Sequence, residues 1–539
     1  MSRARPLARR FAALLLPCAA LLLLLGAPSG RATPAHRGTS ASAAAAEVTL
    51  PAPLKSALET IVVDDLKRHE TFLTSAECAG RDTLQPGLEK ARDYLVDHHK
   101  KFGLESGHSD GSYLFEYELP AIVFGAEDHL AVMKGQAVDA FLPGVDFVPV
   151  RRSGSGTVEG DVVFCGYGIV DAEEGYDDWK GIDVKGKVVA LLLHEPRETK
   201  KGRPFKGVDW TDHARISHKG RAAAERGAAA VLLFTDPANH DDLSVLKGEH
   251  PRYGSLDPKR DCPIPVVHCS GAIGDRLFGP GQLLSWQKAI DAKLAGAPRA
   301  VEGARVRLEV KLSGTQAKTH NVIAVKRGSD PLLRDEWIVL GAHYDHIGVD
   351  EYGRIFHGAD DNGSGTSCLL EIGEALGQQG VEVKRSVLLI HFSGEEHGLL
   401  GAAAWCKAPL FPAEKTLAMV NMDMVGRGRP KEIDAAGLAY SADFQALVRK
   451  ATTLSRARLK VGEGGMQYFK RSDQFEFWRL GIPVLFFMEP EEHPDYHQVT
   501  DTMEKIVFGK VAETAKLVTA LTWLLGEAER RPRQEGIPP

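Results

Sequence analysis

Four short apolar runs in the second half of this 539-residue chain are each followed by residues able to hold a metal or move a proton. His343, Tyr344 and Asp345 follow Trp337–Leu340, and Glu395 and Glu396 follow Ser386–Phe392. Asp423 follows Leu417–Asn421, and His493, Tyr496 and His497 follow Val484–Met488. Asp360, Asp361 and Asn362 open a helical stretch after a glycine. Imidazole nitrogen and carboxylate oxygen are the ligands of a dication such as zinc, and a catalytic ion keeps one position for water. His343, Asp360, Glu396, Asp423 and His497 are enough for two Zn²⁺ with one carboxylate bridging them. Three carboxylates and a hydroxide balance the charge of two such ions; without metal the carboxylates would repel one another and take up protons. The Glu395-Glu396 pair divides the labour, since a ligand cannot also be a free base: one coordinates while its neighbour accepts a proton from water. Asp345 stands where it can accept the other N–H of the His343 ring and orient it. Spacing does not choose between His493 and His497.

Singly, each feature is ordinary. Asp360–Gly363 alone reads as a turn capping the next helix. The joint pattern carries the signal, because in an open α/β sheet ligands bind beyond the carboxyl ends of the strands. The elements that must position these residues fit that scheme. From Thr319 onward, strand candidates (Asn321–Lys326 and the runs above) alternate with helices at Ser364–Gln378, Ser441–Ser455, Asp473–Arg479 and Val511–Glu527. This is α/β class, a mixed open sheet flanked by helices. Residues 51–134, with an amphipathic helix at Leu88–Phe102, form the first part of the same domain, and 306–528 form the rest. Residues 135–305 differ: strands at Gly160–Gly166, Val188–Leu193, Ala229–Phe234 and Ile264–His268 surround one helix, Ile216–Arg226. No ligand cluster is expected at those strand ends, and the block reads as an inserted β-rich α/β module. Residues 33–50 read as a linker and 529–539 as a polar tail.

Residues 1–32 run from four arginines through the apolar stretch 11–25 to small residues, the order of a secretory signal. The apolar stretch is shorter than the roughly 20 residues a spanning helix needs. The expected mature protein is therefore exported, periplasmic or extracellular, without stable membrane insertion. The formal charge of −6 and the absence of a basic stripe argue against nucleic acid as a partner. A hydrophobic fraction of 43% excludes disorder throughout. Cys262 and Cys269 are not expected to pair: the intervening Pro-Ile-Pro-Val-Val-His reads as extended, separating them by roughly 23 Å, where a disulfide needs about 7 Å or less.

The residues that carry chemistry resemble the M28 family of zinc peptidases, the two-zinc aminopeptidases. The matching stretches are Gly341–His346, Gly358–Gly365, Ser393–Gly401, Asn421–Met424 and Tyr496–Thr502, with Ala79-Gly80-Arg81-Asp82 similar to the family's opening segment. The middle block resembles a protease-associated (PA) domain through Gly166–Ile169, Tyr176–Asp178 and Ile182–Val189. The resemblance implies two zinc ions, one held by His343 and Asp423, the other by Glu396 and His497, with Asp360 bridging. It implies Glu395 as general base, Tyr496 as an oxyanion donor, and a cis peptide between Asp360 and Asp361. Ser472-Asp473-Gln474 stands where the family has Ser-Asp-His, a departure expected to bear on the pocket wall. The implied activity is removal of N-terminal residues from peptides. Three alternatives remain: a carboxypeptidase using Arg427, Arg429 or Arg471 as a carboxylate clamp, a one-metal glutaminyl cyclase, and a non-catalytic receptor-like binding protein.

Overall fold

A computed structural model describes residues 49–537 apart from 126, 201–204, 206–209, 241–250 and 351. The expected signal segment and most of the linker lie outside the described residues. The larger sheet has four parallel central strands, in spatial order Ser386–Phe392, Trp337–His343, Thr416–Met422 and Val484–Met488. Every residue of these four strands is buried, as expected of strands covered by helices on both faces. Antiparallel strands extend both sides: Ser313–Lys326 and Leu114–Val123 beyond Ser386–Phe392, and Glu432–Ala436 beyond Val484–Met488. The sheet is mixed, and the α/β class expected from the sequence holds.

Two helices seal one face. Gly365–Gly377 and Phe508–Glu527 are buried over most of their lengths and share a core with Leu340, Leu389 and Val420. Burial of such side chains is worth about 1.5–3 kcal/mol each, so the strand ends sit on a stiff platform. None of the described helices is long and apolar enough to cross a membrane.

The second sheet has its own core, built around Phe164, Leu192, Leu232 and Phe234. It includes His129–Lys134 and Arg299–Val310, which pair with each other. The second sheet therefore takes strands from both sides of residues 135 and 305. Arg299–Val310 alternates buried apolar residues with exposed charges, so half of it reads as polar. The module also returns a short strand, Arg252–Tyr253, to the edge of the larger sheet beside Leu114–Val123. Cys262 and Cys269 are both free.

Candidate active site

Of the five residues expected as ligands, His343, Glu396, Asp423 and His497 converge where the parallel strands end, and Asp361 rather than Asp360 faces them. His343 closes its strand, and its Nε2 lies 3.3 Å from Asp423 Oδ1 and 3.4 Å from Asp361 Oδ1. His497 Nε2 lies 3.1 Å from Asp361 Oδ2 and 2.9 Å from Glu396 Oε2. Asp361, not Asp360, thus faces both halves of the cluster. Asp360 turns the other way: Oδ1 accepts the Gly426 N–H at 2.7 Å, and Oδ2 meets His493 Nε2 at 3.1 Å. Successive residues of an irregular loop point in different directions, and here the second aspartate faces the cleft while the first binds the adjoining loops. The cis peptide is likewise Asp361–Asn362 rather than Asp360–Asp361. His497 has a left-handed backbone (φ 53°), uncommon for a residue other than glycine.

The atoms facing one another are unsatisfied. His343 Nε2, Asp361 Oδ2, Asp423 Oδ1 and His497 Nε2 are buried and make no hydrogen bond among the described residues, which is costly unless another partner serves them. Burial opposes charge on His497, but the facing carboxylates of Asp361 and Glu396 outweigh it and lift its pKa to about 10. Burial pushes the Glu395 carboxyl well above its ordinary range; His343 opposes that shift, while Glu396 and Asp423 add to it. The cluster is short of positive charge, and its donor set fits dications held by His343 and Asp423, by Glu396 and His497, and by Asp361 between them.

Residues behind the cluster fix its orientation. The His343 Nδ1 contact with Asp345 is chiefly to the backbone carbonyl, at 3.2 Å, with the carboxylate at 3.7 Å. The Asp345 carboxylate instead accepts from the Glu395 N–H at 3.2 Å and from Thr83 Oγ1 at 3.0 Å. It therefore sets the loop of the proposed base more directly than it sets His343.

Sequence reasoning missed three partners. His346 is buried, with Nδ1 2.7 Å from Glu396 Oε1; its signal was a second imidazole three residues beyond His343. Asp501 accepts the N–H groups of Asp360 and Asp361 through one oxygen. Arg81 is 1% exposed and donates to the carbonyls of Tyr344, Leu73, His357 and Gly358, tying the His343 and Asp361 loops together. Gly80 beside it has φ +69°, and a Cβ there would lie 2.4 Å from the Gly348 carbonyl oxygen. These contacts account for the Ala-Gly-Arg-Asp stretch, 260 residues before the site it supports.

A cavity opens over the cluster, lined by Glu395, Met424, Arg471, Phe486, Met488 and Tyr496 among others. Tyr496 stacks on His497 with ring centroids 3.9 Å apart, and burial raises its pKa, keeping the phenol protonated. Gln474 does not line this cavity. It is buried, accepts from Asn421 Nδ2 at 2.8 Å and donates to the Phe469 carbonyl at 2.7 Å, so the departure from Ser-Asp-His braces a strand rather than the pocket wall.

The family models agree with this division: residues 321–522 match peptidase family M28, and residues 158–277 match the PA domain. Residues 321–522 thus form an M28 peptidase domain, with a PA domain before it in the chain. A probable leucine aminopeptidase of Arthroderma otae is 30% identical over 207 residues, covering 37% of this chain and 56% of the relative. A probable glutamate carboxypeptidase of Arabidopsis thaliana is 25% identical over 459 residues, covering 78% of this chain and 61% of the relative. The chain spans 56–62% of the length of the first three leucine aminopeptidases it matches. Among solved structures, an aminopeptidase from Aneurinibacillus sp. strain AM-1 aligns over 90% of this chain and 98% of its own, at 21% identity and a TM-score of 0.45. The PA domain touches the M28 domain directly: the Tyr253 ring packs at a tilt against His397, the residue after Glu396, with centroids 4.3 Å apart.

Proposed function

We propose that this chain is an exported aminopeptidase that holds two zinc ions and hydrolyses the first peptide bond of its substrates. The observation that carries this reading is the split reach of Asp361, one oxygen toward His343 and the other toward His497. His343 and Asp423 would hold one ion and Glu396 and His497 the other, with Asp361 shared. Bound zinc acidifies water and polarises a carbonyl.

The chain's own residues do the rest. Glu395 is 9% exposed and lines the cavity, and in this reading it stays outside the ligand set. It takes a proton from the attacking water and returns it to the leaving amine. The Tyr496 phenol donates toward the oxygen that gains charge. His346 and Asp345 hold Glu396 and the Glu395 backbone in place. Export rests on the leader-like order of residues 1–32.

An amino-terminal substrate fits the cavity better than a carboxyl-terminal one. Outside the ligand set, Glu395, Glu489 and Glu492 line it against one cation among the described residues, Arg471, which suits a protonated amine. The other clamp candidates are engaged elsewhere: Arg427 pairs with Asp495 and Asp501, and Arg429 with Glu432. Met424, Phe486 and Met488 offer an apolar wall to the first side chain. The test is a side-by-side assay of aminoacyl reporters and of peptides with a blocked amino end and a free carboxyl end, with and without chelator. Chelator-sensitive cleavage of apolar aminoacyl reporters supports the proposal. Cleavage confined to the carboxyl-terminal substrates would replace it with the carboxypeptidase reading.

A further inference from the structure

A second set of imidazoles and carboxylates converges in the PA domain, contrary to the expectation that its strand ends carry none. His194 follows the strand Val188–Leu192, and Asp236 and His240 follow the adjacent parallel strand Ala230–Phe234. Glu198 reaches back from the loop between them. His194 and Asp236 are fully buried and Glu198 is 3% exposed. His194 Nδ1 lies 3.0 Å from Asp236 Oδ2 and 3.7 Å from Glu198 Oε2, and His240 Nε2 lies 2.8 Å from Glu198 Oε1.

Ligands at about 2.0–2.1 Å around a tetrahedral zinc stand roughly 3.3 Å apart. The spacings here bracket that value, as do the 2.9–3.4 Å separations in the peptidase cluster. Glu198 would bring one negative charge to the ion, and Asp236 holds the His194 ring. Both carboxylates are braced from behind, as groups in and behind a ligand set commonly are: Asp236 accepts the Leu193 N–H at 2.8 Å, and Glu198 accepts from Trp210 Nε1 at 3.1 Å and Asn239 Nδ2 at 2.6 Å.

We propose that His194, Glu198 and His240, with Asp236 orienting the His194 ring, form a separate binding site for one divalent ion of the zinc type, which stiffens the junction between the PA domain and the catalytic loop. The junction is built directly on the cluster. The Trp210 ring lies 4.4 Å from His194 and 4.5 Å from Tyr352, and Arg354 sits 4.4 Å over Trp210. Tyr352 Oη donates to the Ala214 carbonyl at 2.8 Å. Tyr352 and Arg354 belong to the loop joining His346 to Asp361, so order at this site is passed to two residues of the peptidase cluster.

The test is zinc content of the full chain by mass spectrometry after dialysis, begun in an Asp361→Ala/Asp423→Ala variant so that the peptidase reading has no part in it. That variant should keep one equivalent and, loaded with Co²⁺, show the visible absorption of a tetrahedral ion. Adding His240→Ala, a half-buried residue whose loss the fold should tolerate, should weaken binding at least about tenfold and lower the melting temperature only in the presence of metal. Adding Glu198→Gln as well should abolish binding. A catalytic-cluster variant that holds no zinc, or one equivalent retained unchanged through both further substitutions, would overturn the site and leave a hydrogen-bonded network only.

Discussion

Asp360 and Asp361 are adjacent, and each places Oδ2 3.1 Å from the Nε2 of a different histidine: Asp360 meets His493 and Asp361 meets His497. Only the second contact belongs to the cluster that also includes His343, Glu396 and Asp423. The pair separates into a residue that binds loops together and one that faces the cleft.

That separation predicts opposite outcomes from two nearly identical substitutions. Asp361→Ala should lose most zinc from the peptidase site and essentially all turnover. Asp360→Asn keeps the ligand set and should weaken zinc affinity by about 10–100-fold, as loss of a supporting contact does. Paired zinc titrations of the two variants, read as metal affinity and turnover, check the assignment; equal loss in both would contradict it.

Arg81 predicts a stability effect remote in sequence from the site. Its guanidinium satisfies four backbone carbonyls, three of them in the His343 and Asp361 loops. Arg81→Met leaves those carbonyls without their donor, at about 1–3 kcal/mol for each group left buried. A melting temperature lower by several degrees, together with weaker zinc binding, is expected from calorimetry and metal titration. An unchanged melting temperature would mean that water replaces the side chain.

A third prediction concerns acid. His99 Nε2 lies 2.9 Å from His391 Nε2 between a helix and the central sheet. Burial lowers the His99 pKa to about 3, with His98 and His69 adding to the effect, and burial also holds His391 well below its ordinary value. An unfolded histidine binds its proton near pH 6.5, so between about pH 6.5 and 3 the unfolded chain holds more protons than the folded one. Stability is therefore lost as pH falls through that window. His99→Gln should show a smaller drop in melting temperature from pH 7 to pH 4 than the wild type. Equal drops in both proteins would contradict a neutral, buried His99.

Much of this could be read from the amino acids, for physical reasons. The four central strands are continuous apolar runs, and polar residues at their carboxyl ends have only the cleft to enter. Glu395, Glu396, Asp423, His343 and His497 were expected at the cleft on that ground, and the structure gathers their side chains there. The choice between Asp360 and Asp361 was not available, because spacing locates a loop without saying which of two adjacent side chains faces the cleft. His346 and Arg81 were missed because their partners are a carboxylate 50 residues away and carbonyls up to 277 residues away. The PA cluster escaped for a similar reason: His194 and His240 end different strands, and each alone reads as a loop residue. Glu432–Ala436, a short strand with two acidic residues, had no apolar run to mark it.

The most direct test of the account is turnover of an aminoacyl reporter by Glu395→Ala, with zinc content measured on the same sample. Turnover should fall by about 10²–10⁴-fold while the zinc content stays that of the wild type. Near-normal turnover by that variant would contradict the role of Glu395 and, with it, the proposed mechanism.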